Sequence, residues 1–497
     1  MSRTYRIHPA IGVARLGNSP SFFVAAETLF GTPYEIIDGQ EVPVQKFKDP
    51  QGRVKKQAAR FRIFEYEDGT PLREITGDDA EIVWSVRLAN TKGSANKAPL
   101  PNDQRRNANI ADRDSLNITP GERAITGRNQ ASGPMKGKFL RTEVALGELR
   151  TDGAGRLIVL GADGISAGDR PLQTSDIFNN DGWYDDVADG PVNARIRLNG
   201  SETYVTADGA WVLTNSPDFA PEIDPWVTLY DVAYDVAVLK GWLQLPESPS
   251  FRNDIYPILY PAAQHRWVER NQKIEKLEEL TKSWKDLSDP SKPRKIREEI
   301  EEIVTAPGFS VFSITDSQAE LLAKWVDGQF TNDWNDRADL EITPAGLDRA
   351  HLARTTGSGF FPGIEASRYF AERQFYPNFY RAPFRIANDV KPGALTERMS
   401  LPWQSDYAAC RQTWWPAQRP NWIRISASTT ERRVWTNFGG TEMVAGYRRL
   451  GFIVPTVDPD GRIVFVESER EPGTPYGTLA DLVEPTTAKL SITEVRV

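Results

Sequence analysis

The chain has 497 residues, 39% of them hydrophobic, which is enough for two or three domains around a substantial buried core. Its formal net charge of -8 comes from 60 basic and 68 acidic residues spread along the whole length, so no basic stripe offers itself to a phosphate backbone and nucleic acid is not expected as a partner. No apolar run is long enough to cross a bilayer, and the start MSRTYRIHPAIG lacks the features of a secretory signal; a protein free of the membrane and cytoplasmic is expected, export by a non-standard route aside.

Residues 1–240 alternate short apolar runs with Gly, Asp, Asn and Pro clusters, which predicts strands and turns, among them strands at 61–66, 81–88, 156–160 and 203–205. Asn179 to Asp186 is rich in calcium-type oxygens but lacks the spacing and closing glutamate of an EF-hand loop, so a turn is expected there. Between 265 and 304 the pattern becomes helical: Trp267, Ile274, Leu277, Trp284, Ile296, Ile300 and Ile303 recur among dense Lys and Glu. The prolines Pro290 and Pro293 divide this stretch into a charged helical hairpin that projects from the body. Helices are predicted again at 317–326 and 344–354, and closing strands at 463–466 and 490–497.

The expected fold class is α+β, with a β-rich domain at 1–240, a helical region at 241–345 carrying the hairpin 265–304, and a mixed region at 346–497 dense in Gly, Pro and aromatics. The single cysteine, Cys410, rules out an internal disulfide framework and a cysteine-rich metal site. His8, His265 and His351 are scattered rather than set at metal-ligand spacing, so no metal is assigned.

Several ordered blocks carry a family likeness. They are Ile7-His8-Pro9-Ala10-Ile11-Gly12, Asn179 to Pro191, Phe360 to Glu365 and Asp389 to Met399. Most telling is Pro402-Trp403-Gln404-Ser405-Asp406-Tyr407-Ala408-Ala409-Cys410 with Trp414-Trp415-Pro416, followed by Leu450-Gly451-Phe452-Ile453-Val454. With these blocks the chain resembles the lysine epsilon-oxidase/glycine-oxidase (LodA-like) family of quinoproteins. The resemblance implies a redox cofactor made from the protein's own side chains, cysteine tryptophylquinone, in which a cysteine sulfur is bonded to an indole bearing two added oxygens. Cys410 would supply the sulfur and Trp435 the indole. Asp406 would assist formation of the cofactor; on a helix, four residues before Cys410, it shares a face with the thiol, and a carboxylate among tryptophans is a plausible base.

What the resemblance further implies is oxidative deamination of an amino acid or primary amine, with dioxygen as acceptor, an aldehyde or oxo acid, ammonia and hydrogen peroxide as products, and a separate flavoprotein for maturation. Arg381, Arg385 and Arg398 are candidates to clamp a substrate carboxylate, although each also reads as an ion-pair partner. Thr356, Glu365, Arg398 and Tyr447 are the candidate pocket residues. The sequence departs from the family in two places: the interval from Cys410 to Trp435 is short, and Tyr447 stands before Leu450-Gly451-Phe452 where relatives commonly carry a tryptophan. A repurposed member that modifies an amine in a biosynthetic pathway, and a catalytically silent binding or scaffold protein, are therefore the alternatives.

Overall fold

A computed structural model describes residues 3–96, 105–172, 179–270, 272–305, 314–335, 341–357, 365–366, 372, 375–376, 384–409 and 419–477. Among these, 15 strands join in one mixed sheet. Its main path runs Ala131–Phe139, Thr142–Thr151, Leu157–Gly161, Lys56–Glu67, Ile11–Arg15, Ala210–Asn215, Ala188–Leu198, Ala80–Val86 and Arg123–Thr126. Neighbours on this path pair antiparallel, except that Ile11–Arg15 and Ala210–Asn215 run parallel at its centre.

Lys56–Glu67 is the hub of the sheet, pairing along its 12 residues with Arg3–His8, Phe22–Val24, Thr70–Ile75 and Leu157–Gly161. It is buried almost throughout, so both of its faces are covered and its residues do not sort into an inner and an outer set. Its two buried arginines are paired inside: Arg60 and Arg62 both donate to Glu27, whose carboxyl they hold far below the ordinary range against the cost of burial. Side chains alternate across the central strands. Val212 packs with Phe61, Ile63 and Trp84 on one side, while Trp211 and Leu213 join Trp403, Tyr407, Trp435 and Tyr447 on the other. The sheet therefore serves as the floor of the C-terminal region.

A separate helical core lies between 226 and 334. Ile274, Leu277, Ile300 and Ile303 pack with Leu259, Leu322 and Trp325, so the apolar stripe seen in the sequence is buried against neighbouring helices. The proline break separates a short helix, Trp284–Leu287, from Arg294–Thr305. Thr315 and Thr343 cap the helices Asp316–Val326 and Pro344–Ala353 through Gln318 N and Gly346 N, within a residue of the predicted bounds. The predicted closing strand at 463–466 lies within Ile463–Ser468, entered by a turn in which Gly461 adopts φ 78°; 490–497 lies outside the described residues. The fold is α+β, as expected. No helix among the described residues is long and apolar enough to cross a membrane.

Candidate active site

The block weighted most in the sequence forms the short helix Gln404–Ala409. Trp403, Gln404, Ser405, Asp406 and Tyr407 are all buried. With these five side chains away from water, contrast with solvent does not orient them, so their placement depends on specific bonds. Trp403 N donates to Asp185 Oδ2 at 3.0 Å, and Ser166 Oγ donates to Gln404 Oε1 at 2.7 Å. The Tyr407 hydroxyl donates to the Pro217 carbonyl, with Ser216 Oγ at 3.3 Å; burial holds that phenol well above its ordinary range.

Several of the anchoring groups come from the Asn/Asp-rich stretch 179–189, which turns at Asp181-Gly182 and continues into the strand Trp183–Asp185. Asn180 donates through N and Nδ2 to Leu401 O at 3.2 and 3.0 Å. Asp189 accepts from Thr396 Oγ1 at 2.6 Å, Thr396 N at 2.9 Å and Trp211 Nε1 at 3.0 Å; burial nevertheless pushes its carboxyl up to about 6. Arg106 reaches Met399 O at 2.6 Å and Glu397 O at 3.0 Å.

Asp185 also takes the ammonium of Lys92 and the Asn90 amide at 3.0 Å. Lys92 is wholly buried, and desolvation brings its amine down to about 8 against the pull of Asp185. Asp186 differs: Ile165 N bonds its Oδ2 at 2.8 Å, and its Oδ1 has no hydrogen-bond partner among the described residues. Burial first, then the charges of Asp185 and Asp163, push its carboxyl up to about 8. Sequence reading missed Asp185, Lys92, Asp189 and Arg106 as supports. The available signal was the crowding of amide and carboxylate side chains in 179–189, which are costly to bury unless they bond something specific.

Of the sequence candidates, Asp406 lies wholly buried on the helix, and Trp435 follows the strand Arg432–Val434. The Trp435 indole is wholly buried, with its ring 6.2 Å from Tyr407 and 5.0 Å from Phe219; its Nε1 has no hydrogen-bond partner among the described residues. Its backbone is fixed by Trp435 N to Asn421 O at 2.9 Å and by Arg470 donating to Trp435 O. The structure thus brings Trp435 beside the helix that carries Asp406. Tyr447 sits on the same helix's other neighbour, 5.0 Å from the Trp403 ring, and its hydroxyl donates to Asp163 O at 3.1 Å.

Glu365 receives Arg15 at 2.7 Å and the Asn215 amide, at the ends of the two central parallel strands. Arg15 also donates to Ser216 O at 3.1 Å, and Ser216 Oγ lies 3.3 Å from the Tyr407 hydroxyl, which places this ion pair near the helix as well. Thr356 forms an isolated bridge with Thr228 at the start of the helix Leu229–Leu239. Arg398 is half-buried and bears on Glu397. Arg385 donates to the carbonyls of Ile7, at 2.7 Å, and Gly209, so it fastens the N-terminal strand. Cys410, Arg381, Trp414 and Trp415 lie outside the described residues. All three histidines are buried; His8 bonds Asp348 at 2.9 Å and His351 accepts from Val13 N at 3.2 Å. No group of three or more potential metal ligands occurs among the described residues.

The fold is that of an oxidoreductase class, the amino-acid oxidases. Residues 8–214 match the family described as L-lysine epsilon oxidase N-terminal, and residues 300–427 the L-lysine epsilon oxidase C-terminal domain. The chain belongs to the L-lysine epsilon-oxidase family. It is 26% identical over 525 aligned positions to the L-lysine 6-oxidase of Marinomonas mediterranea, covering 81% of this chain and 70% of that protein. The crystal structure of the L-Lys epsilon-oxidase from the same organism superposes with a TM-score of 0.79 at 22% identity, over 94% of this chain and 95% of that one. The structure of that enzyme's Schiff base intermediate with L-Lys gives 0.78 with the same coverage. These structures share the fold of this chain.

Proposed function

We propose that the protein oxidatively deaminates an amino acid or primary amine through a cysteine tryptophylquinone formed from Cys410 and Trp435. The observation that carries this reading is the Trp435 indole, buried beside the helix that precedes Cys410 in the chain, with its nitrogen unpaired among the described residues and aromatic rings around it. An unpaired buried N–H is costly and calls for a reason beyond packing; an indole held against Tyr407, three positions before Cys410 in the chain, supplies one as the ring that the sulfur joins. The residues present therefore fit the group. The quinone supplies an electrophilic carbonyl and a two-electron sink.

The chain's own residues supply the rest. Asp406, wholly buried on the helix, is the base that holds a proton at its carboxylate. Phe219, Tyr407 and Phe452 exclude water from the ring. Arg15 and Glu365 fix the charge at the ends of the central strands. In the net reaction the amine is oxidised to an aldehyde or oxo acid, water enters and ammonia leaves, and dioxygen is reduced to hydrogen peroxide. A separate flavoprotein partner for maturation is part of this reading. L-Lysine is the substrate named for the relative and is the first to try here.

Tyr447 favours a second reading. It lies against Trp403 at a position where the family likeness places a tryptophan, so a repurposed member with different chemistry, or a catalytically silent scaffold, follows if the family indole belongs at 447. The test is the intact mass of protein from its native host, with peptide mapping. Two oxygens gained and four hydrogens lost, with Cys410 and Trp435 in one cross-linked peptide, is the expected result. An unmodified mass with a freely alkylated Cys410 refutes the oxidase reading.

A further inference from the structure

A second region of the molecule carries buried charge that the oxidase reading does not use. A cavity of about 320 Å³ lies among the helix Tyr256–Gln264, the hairpin of Phe452–Val457 with Ile463–Ser468, and the loop that holds Glu222 and Asp224. That is the small end of the volumes that hold ligands. Among the described residues its lining includes neither Trp435 nor any of 404–409, so it is a site apart from the ring.

Its two carboxylates have less compensation than burial demands. Asp224 is 6% exposed, and its Oδ1 has no hydrogen-bond partner among the described residues. Arg354 Nε stands 3.2 Å from that oxygen, outside hydrogen-bond geometry, while the terminal nitrogens of the same guanidinium donate to Pro221 O and, at 2.6 Å, to Gly31 O. Glu222 is half-buried and makes no ion pair or hydrogen bond among the described residues. Arg354 is the shared counter-charge of Asp224, Glu222 and Asp218. Arg15, the other cation acting on Asp218, is committed to Glu365 at 2.7 Å, and Arg266, the remaining cation of the lining, to Glu278 at 3.3 Å. Burial accordingly pushes the carboxyls of Asp218, Glu222 and Asp224 above the ordinary range.

What the cavity lacks is positive charge, and its walls select the kind. Tyr260 meets Phe30 edge to face at 5.3 Å, and Trp267 lies 5.7 Å from Phe465. Aromatic faces attract an organic ammonium, whereas a hard metal ion needs several converging oxygens, and no group of three or more potential metal ligands occurs among the described residues. The outer wall includes Ile463, 67% exposed. We propose that this cavity binds a small organic ammonium, a primary amine on a short apolar stem, with the ammonium held by Glu222 and Asp224 and the stem against Phe465 and Ile463. The inference does not depend on the oxidase reading.

The experiment is equilibrium binding by calorimetry to native-host protein pretreated with phenylhydrazine, which occupies any quinone carbonyl, and to its Glu222→Gln, Glu222→Asp and Asp224→Asn variants. The probes are n-butylamine, its uncharged counterpart n-butanol, and calcium chloride. Butylamine should bind the wild type and bind about tenfold more weakly to Glu222→Gln and Asp224→Asn, while Glu222→Asp should keep part of the affinity. Butanol should bind all four proteins alike, and calcium should not displace the amine. No binding of butylamine to the wild type, equal binding of it to all four proteins, or equal weakening of amine and alcohol overturns the proposal. Displacement of the amine by calcium also overturns it, by making the carboxylates a metal site.

Discussion

Asp185 and Asp186 are neighbours in sequence, equally buried, and opposite in electrostatic circumstance. Asp185 accepts from Lys92, Asn90 and Trp403 N, whereas Asp186 accepts only from backbone N–H groups, Ile165 N at 2.8 Å among them, within the described residues. Burial raises the Asp186 carboxyl from 3.8 to about 8. A folded-state value above the unfolded one means that the proton stabilises the fold. That contribution is complete below about pH 4 and is lost as the pH rises through 8. At about 1.4 kcal/mol per unit, the group should cost the wild type about 4 kcal/mol of stability between pH 5 and pH 9. Asp186→Asn keeps the shape of the neutral acid and cannot ionise. The variant should match the wild type below about pH 4, and its advantage should widen by about 4 kcal/mol from pH 5 to pH 9, measured by urea denaturation at each pH. Two stability curves that run parallel across this range would refute the assignment of a neutral, poorly solvated carboxyl at Asp186.

Lys92→Met leaves the Asp185 carboxylate buried without a counter-charge and should cost about 3–5 kcal/mol; adding Asp185→Asn should recover much of this in the same denaturation assay. Tyr447→Phe removes one hydrogen bond, to Asp163 O at 3.1 Å, and should lower stability by about 1 kcal/mol while leaving the Cys410–Trp435 peptide cross-linked. Trp435→Phe and Asp406→Asn should both yield protein of unmodified mass. A cross-link that survives Trp435→Phe and disappears in Tyr447→Phe would move the modified ring to position 447 and favour the repurposed reading.

The sequence by itself determined the α+β class, most element positions and the family, because these depend on local signals: apolar runs of period two or 3.6, capping threonines, turn glycines and ordered motif blocks. Thr343 before Pro344 and Gly461 in its turn place their elements whatever surrounds them. Asp406 was legible as a site residue because it lies within such a block. Only the tertiary structure decided which aspartates carry bonds. Asp185 reaches Trp403 across 218 positions and Asp189 reaches Thr396 across 207, and no local pattern encodes a partner at that separation. It also decided that Lys56–Glu67 is buried almost throughout, since strand pairing and the packing of distant segments, Leu347 on Phe64 and Tyr66 among them, set burial. Arg385, a candidate clamp in the sequence, became a fastener of the N-terminal strand for the same reason. A charged side chain's role follows from what it meets when water is removed, and that is settled by packing among distant segments.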